Sequence, residues 1–222
     1  MKIPPFSIDE IIRQRCPNAR LGCLLMAVKV APSSPELLQF IQKELTHVQE
    51  KLVLENIHDL PPLHAAREAY KSFGKDPSRY RPSAEALLRR VVQGKGLYQI
   101  NNVVDALNLV SAKSGFSIGG YDCGKISGDI RFGKGEANEP YQAIGRGVLN
   151  IDGLPVLRDE ICAFGSPTSD SQRTMVSAST HYFLVVFFDF GGHPSVKEAM
   201  GELEKMIADF SMGALLDQKI LM

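Results

Sequence analysis

Two unbroken apolar runs, LGCLLMAVKVA (Leu21–Ala31) and HYFLVVFFD (His181–Asp189), constrain this chain most. Neither alternates polar with apolar residues, so each reads as a strand covered on both faces rather than one with a wet side. The first stops at Pro32. The second, rich in aromatic and β-branched residues, is the strongest strand signal in the chain and belongs at the centre of a sheet. No run of eighteen apolar residues occurs, and the N-terminal MKIPPFSIDEII has neither an apolar h-region nor a small-residue cleavage site. The expectation is a cytoplasmic protein with no membrane partner.

Helices are signalled around these strands. Ser34 and Pro35 read as N-cap and first helical residue of a long amphipathic helix, with Leu37, Leu38, Ile41, Leu45, Val48 and Leu52 on one face. After a loop at Asp59–Pro62, a second helix is closed by Gly74. The KDPSRYRP stretch (Lys75–Pro82) is turn-forming, and Ser83 reads as the cap of a helix through Arg90 that ends near Gly94 and Gly96. Val103–Ser114 forms a further helix with Val103, Val104, Leu107 and Val110 on one face and Asn108 close to it. Short strands broken by glycine and proline turns follow to Gly165, and Ser195 with Glu198 forms a capping-box pattern opening a C-terminal helix. The whole reads as one α+β domain.

Twenty-five basic and twenty-five acidic side chains cancel, so a polyanion can be drawn only by a local patch. Arg79, Arg81, Arg89, Arg90 and Lys95 make such a patch. Four cysteines (Cys16, Cys23, Cys123, Cys162) contain no CxxC pair, and His47, His58, His64 and His193 have no metal-ligand spacing, so neither a metal nor an organic cofactor is indicated. Ser171 and His181 with Asp170 or Asp189 could suggest a nucleophilic triad, but no G-x-S-x-G elbow exists.

Three segments carry more specific information. Ile100-Asn101-Asn102-Val103-Val104-Asp105, with Asn108 three residues on, has the form I-N-x-V-V-D-x-x-N; Gly119-Gly120-Tyr121-Asp122 is a glycine turn into a strand; Asp170-Ser171-Gln172-Arg173-Thr174 reads D-S-x-R-T. Together these resemble the B3/4 domain, the editing and tRNA-binding region of the phenylalanyl-tRNA synthetase beta subunit, and its stand-alone relatives. The resemblance covers Pro61–Gly191, with residues 1–60 (strand and long helix) and 192–222 (C-terminal helix) outside it. It departs from the synthetase pattern H-A-[FY]-D at Gly119, where the histidine is lost. That loss removes a donor and adds space, which would alter the amino acid accepted.

What the resemblance implies is a three-layer β/β/α sandwich and a free-standing protein that binds the 3′ end of a charged tRNA and hydrolyses a mischarged aminoacyl ester in trans. No synthetase catalytic core is present. Asn108, Arg173 and Thr174 inherit the catalytic positions; Gly119, Gly120, Tyr121, Gly165, Asp170 and Ser171 inherit the aminoacyl-binding ones. Arg79, Arg81, Arg89, Arg90 and Lys95 inherit contacts to the acceptor stem. The alternatives are a module that kept the pocket and lost the chemistry, binding RNA or an amino acid, and a small-molecule hydrolase with no interest in tRNA. Oligomeric state is not legible, and DNA is not an expected partner.

Overall fold

The structure, a computed structural model, describes all 222 residues. In chain order the elements are β1 (Phe6–Ile8), α1 (Glu10–Arg15), β2 (Arg20–Ala27), α2 (Pro35–Lys51), α3 (Pro61–Ser72), α4 (Ser83–Val92), α5 (Asn102–Ser114), β3 (Ser117–Asp122), β4 (Ile130–Lys134), β5 (Gln142–Ala143), β6 (Gly147–Val148), β7 (Pro155–Arg158), β8 (Ala163–Gly165), β9 (Tyr182–Asp189), α6 (Val196–Ser211) and β10 (Ala214–Leu221). One four-stranded sheet has the order β1-β4-β7-β8. A second, fully antiparallel one has the order β10-β2-β9-β3, and β5 and β6 form a small hairpin.

The second sheet is the middle layer. On β9, Phe183, Val185 and Phe187 join Leu24 and Met26 of β2 under helices α2, α5 and α6; Leu184, Val186 and Phe188 join Leu21, Cys23 and Leu25 against Ile8, Phe132 and Phe164 of the first sheet. Alternate residues of each strand therefore serve two separate cores, which is why neither run alternates in polarity. Phe132 and Phe188 meet across the sheets with ring centroids 5.7 Å apart. The architecture is the three-layer β/β/α arrangement, and no helix is long and apolar enough to cross a membrane.

Several local expectations hold. The Ser34 side chain accepts a hydrogen bond from Leu37 N at 3.2 Å with Pro35 at the start of α2, and Leu37, Ile41 and Leu45 are buried. Gly74 closes α3 at φ 73°. All four cysteines are free, and three are buried.

Others change. The first apolar strand ends at Ala27, because residues 28–31 leave the sheet to meet α5. Ser83 is the first helical residue rather than the cap, its N–H donating to Pro167 O at 2.8 Å. Ser195 holds the N-cap position of α6 but its side chain makes no capping bond; its hydroxyl instead bonds His193 Nδ1 at 2.7 Å. The chain does not close on a helix: β10 follows α6 and lines the edge of the middle sheet, its alternately exposed residues Ala214–Leu221 hiding the strand behind a polar Asp-Gln-Lys centre. Strand β1 and helix α1 were equally unmarked in the sequence.

The two-sided burial gives a direct expectation for urea unfolding. Phe187→Ala, in the helix-facing core at 0% exposure, should cost about 3–5 kcal/mol. Leu216→Ala on edge strand β10 should stay within about 0.5 kcal/mol of wild type.

Candidate functional site

The asparagine-rich start of α5 is an anchor. Asn101 is the N-cap, its side-chain oxygen accepting from Val104 N at 2.9 Å. Asn102 is buried and acts as a surrogate strand: its side-chain oxygen accepts from Ala31 N, its amide donates to Lys29 O, and its backbone N–H donates to Ala31 O, each at 3.0 Å. Asp105 finishes the lacing, accepting from Ile100 N at 2.8 Å and from the Ser33 hydroxyl at 2.6 Å. With Asn101 capping the helix and Asn102 and Asp105 holding α5 to residues 29–33, Asn108 is left as the polar side chain of the motif without such a duty. It is half-buried, directly after Leu107, whose side chain lies against Gly120.

Strand β3 is the other edge of the middle sheet, and its Gly119, with Gly165 of β8, makes room for a phenol. A Cβ on Gly119 would stand 1.9 Å from the Tyr121 hydroxyl oxygen, and one on Gly165 would stand 2.2 Å from it. The ring of Tyr121 passes between the two sheets, edge-on to Phe164, and its hydroxyl donates to Asp170 Oδ1 at 2.7 Å. The added space expected from the histidine-to-glycine difference at Gly119 is thus filled by the chain's own tyrosine. Gly120, half-exposed on the edge, donates its N–H to Asp170 Oδ2 at 3.2 Å.

Asp170 sits at the end of a stitched loop. The Ser166 hydroxyl accepts from the N–H groups of Thr168 and Ser169, Tyr141 donates to Ser169 O at 2.7 Å, and Thr168 bonds Tyr70 at 2.7 Å. Removal of its carboxylate from water pushes the Asp170 pKa up to about 7, against the pull of the Tyr121, Gly120 and Ser166 donors. Burial, and then the charge of Asp170, hold the Tyr121 phenol well above its ordinary value. Ser171 is 5% exposed, its N–H donating to Phe164 O and its hydroxyl accepting from Arg173 N, so it belongs to the loop's frame.

Arg173 and Thr174 follow on the same loop. The Arg173 guanidinium donates to Asp159 Oδ1 at 2.9 Å and to Lys125 O at 3.0 Å. Asp159 also accepts the N–H groups of Ser127, Ile161 and Cys162, so the pair ties three loops together. Thr174 is fully buried, its hydroxyl without a partner inside the chain.

Helix α4 packs on α5 and lies against β3, and its basic side chains are more ordered than a solvated face would be. Glu85, 1% exposed, receives Arg67 at 2.8 Å, Arg89 at 2.9 Å and Arg81 at 3.4 Å, and Arg89 reaches His58 Nε2 at 3.0 Å. Three guanidinium groups around one carboxylate leave a net positive, pre-oriented cluster. Burial, then the charge of Arg67, lowers the His58 pKa, which keeps that ring neutral. Glu85, Arg67 and His58 were missed in the sequence; the i, i+4 spacing Arg81–Glu85–Arg89 was the available signal. Arg79 stacks over Tyr80 at 5.6 Å, Lys95 donates to Gln93, and Arg90 stacks on Tyr98.

A middle sheet covered on both faces, with a carboxylate-bearing loop at one edge beside an arginine helix, defines the class. The chain belongs to the B3/4 domain family, whose model matches residues 65–192. Among solved structures it is similar to an N-terminal fragment of the phenylalanyl-tRNA synthetase beta subunit from Pyrococcus horikoshii, at 14% identity and a TM-score of 0.49. That match covers 97% of this chain and 53% of the fragment, so the chain spans about half the fragment's length. No curated protein matches the chain.

Two measurements check the site's construction. Asn102→Ala should cost about 1–3 kcal/mol, because Ala31 N–H and Lys29 C=O lose their partner. The raised Asp170 pKa means the folded state holds a proton that the unfolded state has released between about pH 4, the unfolded carboxylate value, and about pH 7, so its contribution to stability falls as pH rises through that window. Asp170→Asn can still accept from Gly120 N and donate to the Tyr121 oxygen. Its urea-unfolding stability relative to wild type should therefore increase from pH 5 to pH 8; a pH-independent difference would contradict this assignment.

Proposed function

We propose that this protein binds the 3′ end of a charged tRNA and hydrolyses a mischarged aminoacyl ester in trans. Family membership supports a tRNA-related role, and the observation that carries the chemistry is the Asp170 carboxylate, oriented by Tyr121 and Gly120 at the edge of β3, with proton affinity near neutral pH. A general base works best with a pKa near the operating pH. Asp170 takes a proton from water as the water oxygen bonds to the ester carbonyl carbon; the carbonyl–ribose C–O bond then breaks, and the proton passes to the departing ribose oxygen, which leaves as a hydroxyl. Asn108, free of structural duties, is suited to hold the aminoacyl group, since a carboxamide can both donate and accept.

The arginine cluster serves the phosphates. Arg81 and Arg89, held in place by Glu85, and Arg67 beside them meet the acceptor strand, and the Ser83 N–H to Pro167 O bond links this helix to the Asp170 loop. Arg79, Arg90 and Lys95 extend the basic surface. Arg173 and Thr174 enter as framework that fixes the loop, not as groups that touch the ester.

A panel of correctly and incorrectly charged aminoacyl-tRNAs, followed for ester loss at two salt concentrations, tests the reading. One mischarged species should be deacylated selectively, its binding weakening steeply with salt and its rate climbing to a plateau above about pH 7. Asp170→Asn should lower the rate by about 10²–10⁴-fold while tRNA affinity stays as in wild type. Undiminished turnover in that variant would remove Asp170 from the chemistry. Binding of an amino acid or RNA without ester loss would instead identify a non-catalytic module, a reading favoured by the way Tyr121 fills the space over Gly119 and Gly165.

A further inference from the structure

Outside the β3 edge, α2 and the irregular segment between α4 and α5 enclose a recess of about 290 Å³. Its walls include Leu45 and Leu97, with Gln42, Gln49, Lys95 and Tyr98 around them. Leu97 packs against the helix-side core, but its neighbour Tyr98 contributes to no core cluster and is 58% exposed. One face of the Tyr98 ring lies on the Arg90 guanidinium, 4.0 Å from carbon to ring centroid. The fold gains little from this arrangement: a cation–π contact at an exposed site is worth about 0.5–1 kcal/mol. It does, however, set an aromatic ring beside a recess that the same ring helps to line.

We infer that Tyr98, backed by Arg90, is a stacking platform for one unpaired nucleobase of a single-stranded RNA, with the recess beside it receiving the edge of that base. The inference rests on the RNA-binding part of the reading above and assigns that partner a second point of contact. The size favours a single ring system, since the recess lies at the lower end of the roughly 300–1,000 Å³ of ligand clefts. Its chemistry favours a base: Gln42 and Gln49 bring carboxamides, of which Gln49 uses only its N–H₂, donating to Val91 O at 2.8 Å, so its oxygen is left to accept. Charge complementarity selects a polyanion. Arg90 lies on the ring and Lys95 shares the recess lining, whose one carboxylate, Asp105, is already engaged by Ser33 and Ile100 N; Arg89 continues the positive surface along α4 towards Glu85. Stacking on an exposed aromatic next to cationic groups is how single strands are held without sequence readout.

The test is fluorescence anisotropy with a labelled single-stranded RNA of mixed sequence and a labelled RNA duplex, each at two salt concentrations. Tyr98 is exposed, so its substitution leaves the folded chain intact, which the unfolding midpoint verifies. Tyr98→Ala should bind the single strand about tenfold more weakly, as expected for one lost base stack. The salt dependence should be unchanged because no phosphate contact is removed. Tyr98→Phe should bind as wild type, and duplex affinity should not move, since paired bases cannot reach the ring. Wild-type affinity in Tyr98→Ala, or equal losses in the Ala and Phe variants, overturns the platform and leaves the editing reading standing, because ester loss is measured separately. Absence of any single-strand binding by the wild-type protein also overturns it.

Discussion

Burial of one sheet on both faces governs everything else in this molecule. Strands β2 and β9 carry large apolar side chains in both directions, so the middle sheet is stable only between two covers: the helices on one side and the β1-β4-β7-β8 sheet on the other. Each buried Leu, Val or Phe contributes on the order of 1.5–3 kcal/mol when removed from water. Neither core can be surrendered without exposing the reverse side of the same strands. The outer elements, and the polar side chains that pin them, are positioned by this demand.

The candidate site arises where that burial gives out. Strand β3 is an edge, and an edge leaves backbone N–H groups without a strand partner. Gly120 offers its N–H to the Asp170 carboxylate, and the same carboxylate accepts the Tyr121 hydroxyl that emerges between the sheets. A carboxyl group thus closes the sheet edge in place of another strand. The arrangement protects the edge and leaves the group poorly hydrated, which is the physical origin of its elevated proton affinity. Structural need and chemical potential coincide in one residue.

The strands of the middle layer were legible because two-sided burial leaves an unbroken apolar run, and α2 because its cap, first proline and apolar stripe all agree. The B3/4 motifs located α5, β3 and the Asp170 loop, yet they did not say which polar groups were occupied. Asn102 and Asp105 look like binding residues in a linear sequence and become anchors only when residues 29–33 are brought to them from far away. Arg173 looks like a ligand grip until Asp159 is seen opposite it. Strand β10 stayed hidden because this edge strand only half-buries its inward residues, and three polar side chains in its middle blurred the pattern. Partners distant in sequence determine whether a polar residue is available, and a motif records the residue without its partner.

The two ends of the chain are tied together. Ile3 N–H donates to Asp217, 214 residues away, and Lys219 donates to Pro4 O, while β1 runs parallel to β4 and β10 covers the outer edge of β2. A chain emerging from the ribosome can therefore form its helices early, but β2 keeps an open, apolar edge until the last eight-residue strand has been made. Closure is a late, long-range event of the kind that slows folding and exposes edges to other chains. Any extension fused to either terminus begins at this seam, next to the strand that completes the sheet.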